Sequence, residues 1–307
     1  MTSHQRIDAA IADILGRANP RAPSLIVSVL GDSIAPHGGS FWIGSMIKLM
    51  EPLGLNARLV RTAIFRLTKE GWLRATQRGR QSYYRLTESG LRRFEAAFHR
   101  VYDDPQETWD GAWTLAMLDT SGMSSDERDQ IRKEMAWSGF GMAAPSVFVH
   151  TSLSAAELSA KLAELGIQDH TVTMTARLTH ASQGGNAAAF ARRCWDLDTL
   201  AAGYHQFLAL FQPLMPLFQE IPPTPTQAFM ARTLLIHEYR RVSLRDPHLP
   251  AALLSADWEG RAARVLAKNL YRMLDEPTER HLLSVVETAD GPLPPADASY
   301  AKRFDGV

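Results

Sequence analysis

The sequence predicts a mainly α-helical protein with smaller α+β parts, and three observations carry that prediction. Residues 56–86 read as a helix followed at once by a two-stranded hairpin. Between residues 112 and 176, short β-prone runs alternate with capped helical segments, the pattern of a small α+β sandwich. From Phe190 to Leu283 the chain is rich in Leu, Ala and aromatic residues, so helices are expected there. Three domains follow from this reading: residues 1–104, 105–180 and 181–307. A chain of 307 residues is long enough for that number.

Taken in order, Ile7, Ile11, Ile14 and Leu15 make a short amphipathic helix. It lacks the basic residues and the length of a targeting or membrane-spanning segment, so a packing or dimer role is expected. Ser24–Leu30 is apolar and β-branched. Periodicity alone cannot separate a strand from a buried helix there, but its place ahead of the helix–hairpin unit favours a helix. Ala35-Pro36-His37-Gly38-Gly39 is a loop. Phe41, Trp42, Ile43, Met46, Ile47, Leu49 and Met50 then supply a second helix, which Glu51-Pro52-Leu53-Gly54 breaks.

Asn56 is a suitable N-cap for the third helix, and Gly71 stands where a helix-ending glycine belongs. Val60, Ala63, Ile64 and Leu67 fall on one face of it, with Arg58, Arg61, Thr62 and Lys69 opposite and Arg66 on the flank. Leu73, Ala75, Tyr84 and Leu86 alternate with polar neighbours, and Arg78-Gly79-Arg80 turns between two strands. Helix, turn, helix and basic hairpin together make a winged helix-turn-helix.

The charge supports this. From Arg58 to Arg93 there are ten basic residues and two acids, an excess of eight, in a chain whose formal net charge is +0. A local excess on a neutral chain suits a polyanion, although a basic helix face can also be merely solvated. Double-stranded DNA is therefore the expected partner. Arg58, Arg61 and Thr62 should approach base edges, as residues near the start of such helices do. Lys69 shares their face. Arg66, Arg78 and Arg80, joined by Tyr83, should hold phosphates. One such helix reads few base pairs, so a homodimer on an inverted repeat is expected.

Leu91, Phe94, Phe98 and Val101 continue as a helix up to a break at Asp103-Asp104-Pro105. The middle segment then reads strand 112–118, helix 124–137, strand 146–150, helix 154–165 and strand 171–176, with Ser154 and Glu157 as a capping box. This β-α-β-α-β run suggests a ferredoxin-like sandwich. A second Pro-rich break lies at Ile221–Pro225, and the tail from Gly291 to Val307, with three prolines, is expected to be loosely held. Hydrophobic residues are 45% of the chain and evenly spread, which suits cored domains and not a membrane protein. The one cysteine, Cys194, cannot close an internal disulfide, so it fits a reducing cytoplasm as a small buried hydrophobe.

Enzyme signatures fail one by one. His237-Glu238 opens like a zinc-protease helix, but position 241, where the second histidine belongs, is Arg. No nucleophile elbow, Walker loop or dinucleotide fingerprint occurs, and the ten histidines are scattered. Neither catalysis nor a metal or other cofactor is expected.

Two stretches carry a closer likeness: RTAIFRLTKEGWL at 61–73 and RTLLIHEYRRVSLRDPHLPAALLSADWEG at 232–260. They resemble the phenylacetate-degradation repressor (PaaX) family of bacterial transcription regulators, and the likeness runs from about Ser24 to about Leu274. The resemblance implies a homodimeric repressor with an N-terminal winged helix, a Cas2-like middle domain and a helical C-terminal domain. An aryl-coenzyme A thioester, typically phenylacetyl-CoA, would release it from its operator. Arg240, Arg241 and Arg245 suit the CoA phosphates, and Trp195 and Tyr204, with Phe207, could stack the aryl group. The same arginines equally suit a buried structural network, and the aromatics a core. A Cas2-like middle domain also opens one alternative, a metal-dependent nuclease using Asp119 at the end of its first strand, where such an acid can also just cap a loop.

Overall fold

The computed structural model describes residues 2–103, 108–151, 153–178 and 186–305. The expected break at Asp103-Asp104-Pro105 therefore falls partly outside the described residues. No described helix is long and apolar enough to cross a membrane. The chain is mostly helical, with small antiparallel sheets. Its residues gather into two compact units: 1–103, 204–241 and 260–307 in the first, and 104–203 with 242–259 in the second. Residues 204–241 and 260–305 of the expected C-terminal stretch lie in the first unit, and 186–203 and 242–259 in the second. Prolines and composition mark breaks along the chain, whereas long helices carry it from one unit into the other.

In the first unit, α1 (Ser3–Ala18) is opened by a capping box of Thr2 and Gln5 and buries Ile7, Ile11 and Ile14. Helix α2 (Ala22–Val29) runs into one wide π turn at Leu30–Ile34 and a tight turn at Ala35–His37. Strand β1 (Ser40–Trp42), α3 (Ile43–Met50), α4 (Ala57–Lys69), β2 (Leu73–Arg78), β3 (Gln81–Leu86) and α5 (Glu88–Tyr102) follow. The three strands are antiparallel in the order β1-β3-β2. Here the reading of Phe41 and Trp42 as helical is corrected. They pair with Tyr84 and Tyr83 of β3, and the rings of Phe41 and Tyr84 stack with centroids 5.8 Å apart. Aromatic residues suit a strand, but the partner that makes this one lies some forty residues onward.

The second unit contains β4 (Ala112–Leu118), α6 (Ser125–Trp137), β5 (Gly141–Ala144), β6 (Val147–His150), α7 (Ala155–Glu164), β7 (Thr171–Arg177) and α8 (Ala187–Cys194). Its antiparallel sheet has the order β5-β6-β4-β7. The β-α-β-β-α-β sequence is that of a ferredoxin-like sandwich. The sequence reading missed β5, whose Gly-Met-Ala-Ala has little strand propensity. Leu118, Met135, Phe148, Leu158 and Leu162 form the core between sheet and helices. Capping boxes at Ser124/Glu127 and Ser154/Glu157 open α6 and α7.

Helix α9 (Leu197–Phe211) ends in the first unit, where α10 (Leu214–Glu220), most of α11 (Pro225–Ser243) and α12 (Glu259–Val285) lie, followed by a small hairpin of β8 (Glu287–Thr288) and β9 (Gly291–Pro292). The tail is another correction. Leu293, Tyr300, Arg303 and Phe304 are buried, and Phe304 packs edge-on against Tyr102. Around them lies a buried charge cluster centred on Asp32. Its carboxylate accepts from Arg232 Nε at 3.0 Å, Arg303 Nη1 at 3.1 Å, Tyr102 Oη at 2.7 Å and Tyr271 Oη at 3.0 Å. Burial pushes the Asp32 pKa up, but the two guanidiniums and two phenols outweigh it, so the carboxyl sits below its usual range. Arg232 reaches on to Asp275 at 3.1 Å and Tyr300 Oη at 2.7 Å. Three prolines suit a loose tail, but the buried ion pair of Arg303 with Asp32 holds this one in place.

Candidate nucleic-acid interface

Asn56 caps α4 by accepting from Leu59 N–H at 3.0 Å. The apolar stripe Val60, Ala63, Ile64 and Leu67 is buried, which turns Arg58, Arg61, Thr62, Arg66 and Lys69 outward; all five are exposed. Arg58, Arg61 and Lys69 have no hydrogen-bond or ion-pair partner among the described residues. Thr62 Oγ1 bonds back to Arg58 O at 2.9 Å, and Arg66 Nε donates to Glu70 at 2.7 Å. At about 100° per residue, Phe65 falls between Arg58 and Arg61 and is 65% exposed. Sequence reading passed over this ring because it sits on neither the apolar stripe nor the list of basic residues.

The register of the hairpin sorts its residues by face. Leu73, Ala75, Tyr84 and Leu86 lie on one side, while Arg74, Thr76, Arg78, Tyr83 and Arg85 lie on the other, with Arg74 directly opposite Arg85. Gly79, at φ +60°, makes the turn between Arg78 and Arg80. Arg80 and Tyr83 behave differently: Arg80 is exposed at the tip, and the Tyr83 hydroxyl donates to Gln81 Oε1 at 2.7 Å. Arg78 is engaged. It donates to Ala289 O and, at 3.2 Å, to Asp290 Oδ1. No sequence signal linked these positions, which are more than two hundred residues apart.

The residues expected at an effector site are scattered in role. Tyr204 is 2% exposed and Phe207 packs on Tyr239 at 5.3 Å, so both serve the core of the first unit. Arg240 Nη2 donates to Ser24 O and Ser24 Oγ, each at 3.0 Å, which is the structural-network reading. Arg241 is exposed and donates to Glu238 at 2.9 Å. Arg245, in the second unit, is exposed. Trp195, in the same unit, donates its indole N–H to Gly139 O at 3.1 Å and stacks on Trp113. Cys194 is buried, and burial raises its thiol to about 11. Asp119 accepts from Ser121 N–H at 2.9 Å, and the Ser121 hydrogen bonds lower its pKa, as for a loop cap. Among the described residues no group of three His, Cys, Asp or Glu could hold a metal ion.

Residues 21–90 match the family model described as PaaX-like protein, 106–189 the PaaX protein central Cas2-like domain, and 195–284 the PaaX-like protein C-terminal domain. The chain is 37% identical over 304 residues to transcriptional repressor PaaX of Escherichia coli (strain K12), covering 98% of this chain and 96% of that one. Among solved structures, uncharacterized protein Rv0674 from Mycobacterium tuberculosis is similar in fold, with a TM-score of 0.56 at 22% identity, over 83% of this chain and 98% of that one.

Proposed function

The chain belongs to the PaaX-like family, and on that premise we propose that it is a sequence-specific DNA-binding transcriptional repressor built on a winged helix-turn-helix. The observation that carries this reading is α4, which buries an apolar stripe and turns outward, beside Thr62 and Phe65, three cations without a partner among the described residues. Cations without protein partners are free to meet phosphates and base edges. Arg58, Arg61 and Thr62 lie toward the helix start and read bases in the major groove. Lys69, Arg66, Arg80 and Arg78 take phosphates, the last two from the hairpin wing, with Tyr83 beside them. A homodimer lays two copies of α4 on the half-sites of an inverted repeat.

An aryl-CoA thioester such as phenylacetyl-CoA is the effector class that the family likeness supports, making the protein a regulator of aromatic-acid catabolism. Exposed Arg241 is the candidate for its phosphates; Arg240 and Tyr204 are committed to packing. Release needs a coupling of about 1–3 kcal/mol between the two sites. The experiment is a gel shift of the chain's own promoter against a shuffled duplex, repeated with phenylacetyl-CoA. We expect selective retardation, a footprint of two half-sites, and loss of the complex on adding the thioester. Equal affinity for both duplexes would sink the repressor reading; unchanged binding with thioester would remove only the effector.

A further inference from the structure

The wing and the far C-terminus meet at one acidic side chain. Strands β8 and β9 pair through Glu287 with Pro292 and Thr288 with Gly291, leaving Ala289-Asp290 as the turn. This small hairpin is fastened on both flanks. Glu287 N–H donates to Ser45 Oγ at 3.0 Å, the Thr288 hydroxyl spans the turn to Gly291 O at 3.0 Å, and Leu293 behind it is buried. Pro294 O bonds His37 Nδ1 at 2.7 Å, and Asp297 N–H donates to Pro36 O at 2.8 Å. Asp290 is thus carried on a held turn, not on a free tail. Its two carboxylate oxygens face two arginines of the wing: Oδ1 is 3.2 Å from Arg78 Nη2, and Oδ2 is 3.5 Å from Arg85 Nη2.

Those arginines share the wing face with Arg74, which stands directly across from Arg85. Like charges in that position repel, and one carboxylate beside them offsets it. All three partners of the contact remain more than half exposed. An exposed pair of this kind is weak and salt-sensitive, so an incoming phosphate can exchange with it. A carboxylate held by two guanidiniums occupies the same donors that a phosphodiester would use.

We propose that Asp290 is a built-in competitor for the DNA backbone: in the free protein its carboxylate fills the places on Arg78 and Arg85 that phosphate oxygens take in the complex. This rests on the DNA-binding reading above. The device lowers affinity for every duplex alike, because phosphates carry no sequence, and so holds non-specific binding down while α4 does the reading.

The test measures affinity of the full-length parent, Asp290→Asn and Asp290→Ala for the promoter duplex and for a shuffled duplex, from low salt to 0.3 M. Asn retains the turn but not the charge, and melting curves check that both variants fold. Both should bind both duplexes about two- to fivefold more tightly than the parent, the scale of an exposed pair, with the gap shrinking as salt rises. In an Arg78→Ala, Arg85→Ala background the Asp290 substitutions should have no effect. Weaker binding by the variants would make Asp290 a residue that positions the arginines and would overturn the proposal, as would unchanged binding. Tighter binding that survives the double arginine substitution would overturn it too. A parent that binds neither duplex would remove the DNA reading itself, and the competitor with it.

Discussion

Arg58 and Arg61 stand exposed on α4 without partners among the described residues, whereas Arg232 and Arg303, in the same unit, are 0% and 1% exposed around Asp32. The residue type is the same and its physical situation is opposite. On α4 each guanidinium keeps its hydration and costs little to hold, so its donors are available to a ligand. Around Asp32 the charges have been taken out of water, and only mutual pairing and the tyrosine hydroxyls compensate that loss. One arrangement can bind; the other can only hold the molecule together. The difference also explains why Arg240, bonded to Ser24, makes a poor ligand-binding candidate although it lies in a basic run.

Substitutions should separate the two regions, and the largest effect is expected at the buried one. Asp32→Ala leaves Arg232 and Arg303 buried without their shared anion, and should cost about 3–5 kcal/mol of stability. Denaturant unfolding would show it, and a loss below about 1 kcal/mol would mean that the cluster does not stabilise the unit.

The next effect is in pH. Burial, with Arg240 and Arg241 nearby, pushes His237 down to about 3, while Ser28 Oγ and its Nδ1 share a hydrogen bond at 2.9 Å. The folded protein therefore keeps this ring neutral while an unfolded chain protonates it near 6.5. The unfolded state binds more protons, so the contribution is present above 6.5 and lost as pH falls toward 3. Asp32, with its lowered pKa, adds a loss at still lower pH of the same sign. We expect roughly 3 kcal/mol of destabilisation from His237 by pH 4. His237→Gln should flatten the denaturation midpoint against pH between 7 and 4, and an unaltered slope would contradict the assignment.

On the exposed region the same side-chain truncation should spare the fold and affect binding. Arg61→Ala is expected to cost about 1–3 kcal/mol in operator affinity and to relax selectivity at one base pair, with a melting temperature equal to the parent's. If Arg61→Ala lowers the melting temperature as Asp32→Ala does, the contrast between the regions fails. The smallest effect belongs to Glu70→Gln, which frees Arg66 from its surface pair. Stability should change by less than about 0.5 kcal/mol, and a larger change in thermal melts would show that the pair is part of the helix's support.

What the sequence determined by itself was local. The N-cap at Asn56, the apolar stripe of α4, the turn at Gly79 and the capping box at Ser154 involve residues within one or two turns of one another, and all are found where the pattern predicts them. The basic exposed face of α4 followed from the same periodicity. The tertiary structure alone decided what depends on distant partners. Phe41 and Trp42 became a strand because β3 pairs with them, and Gly141–Ala144 because β6 does. The proline-marked tail became core because Arg303 reaches Asp32, and Arg78 lost its freedom to Asp290. Helical hydrogen bonds close within four residues and leave a periodic trace in the sequence. Pairing between segments two hundred residues apart leaves none, because either partner alone reads as an ordinary surface charge.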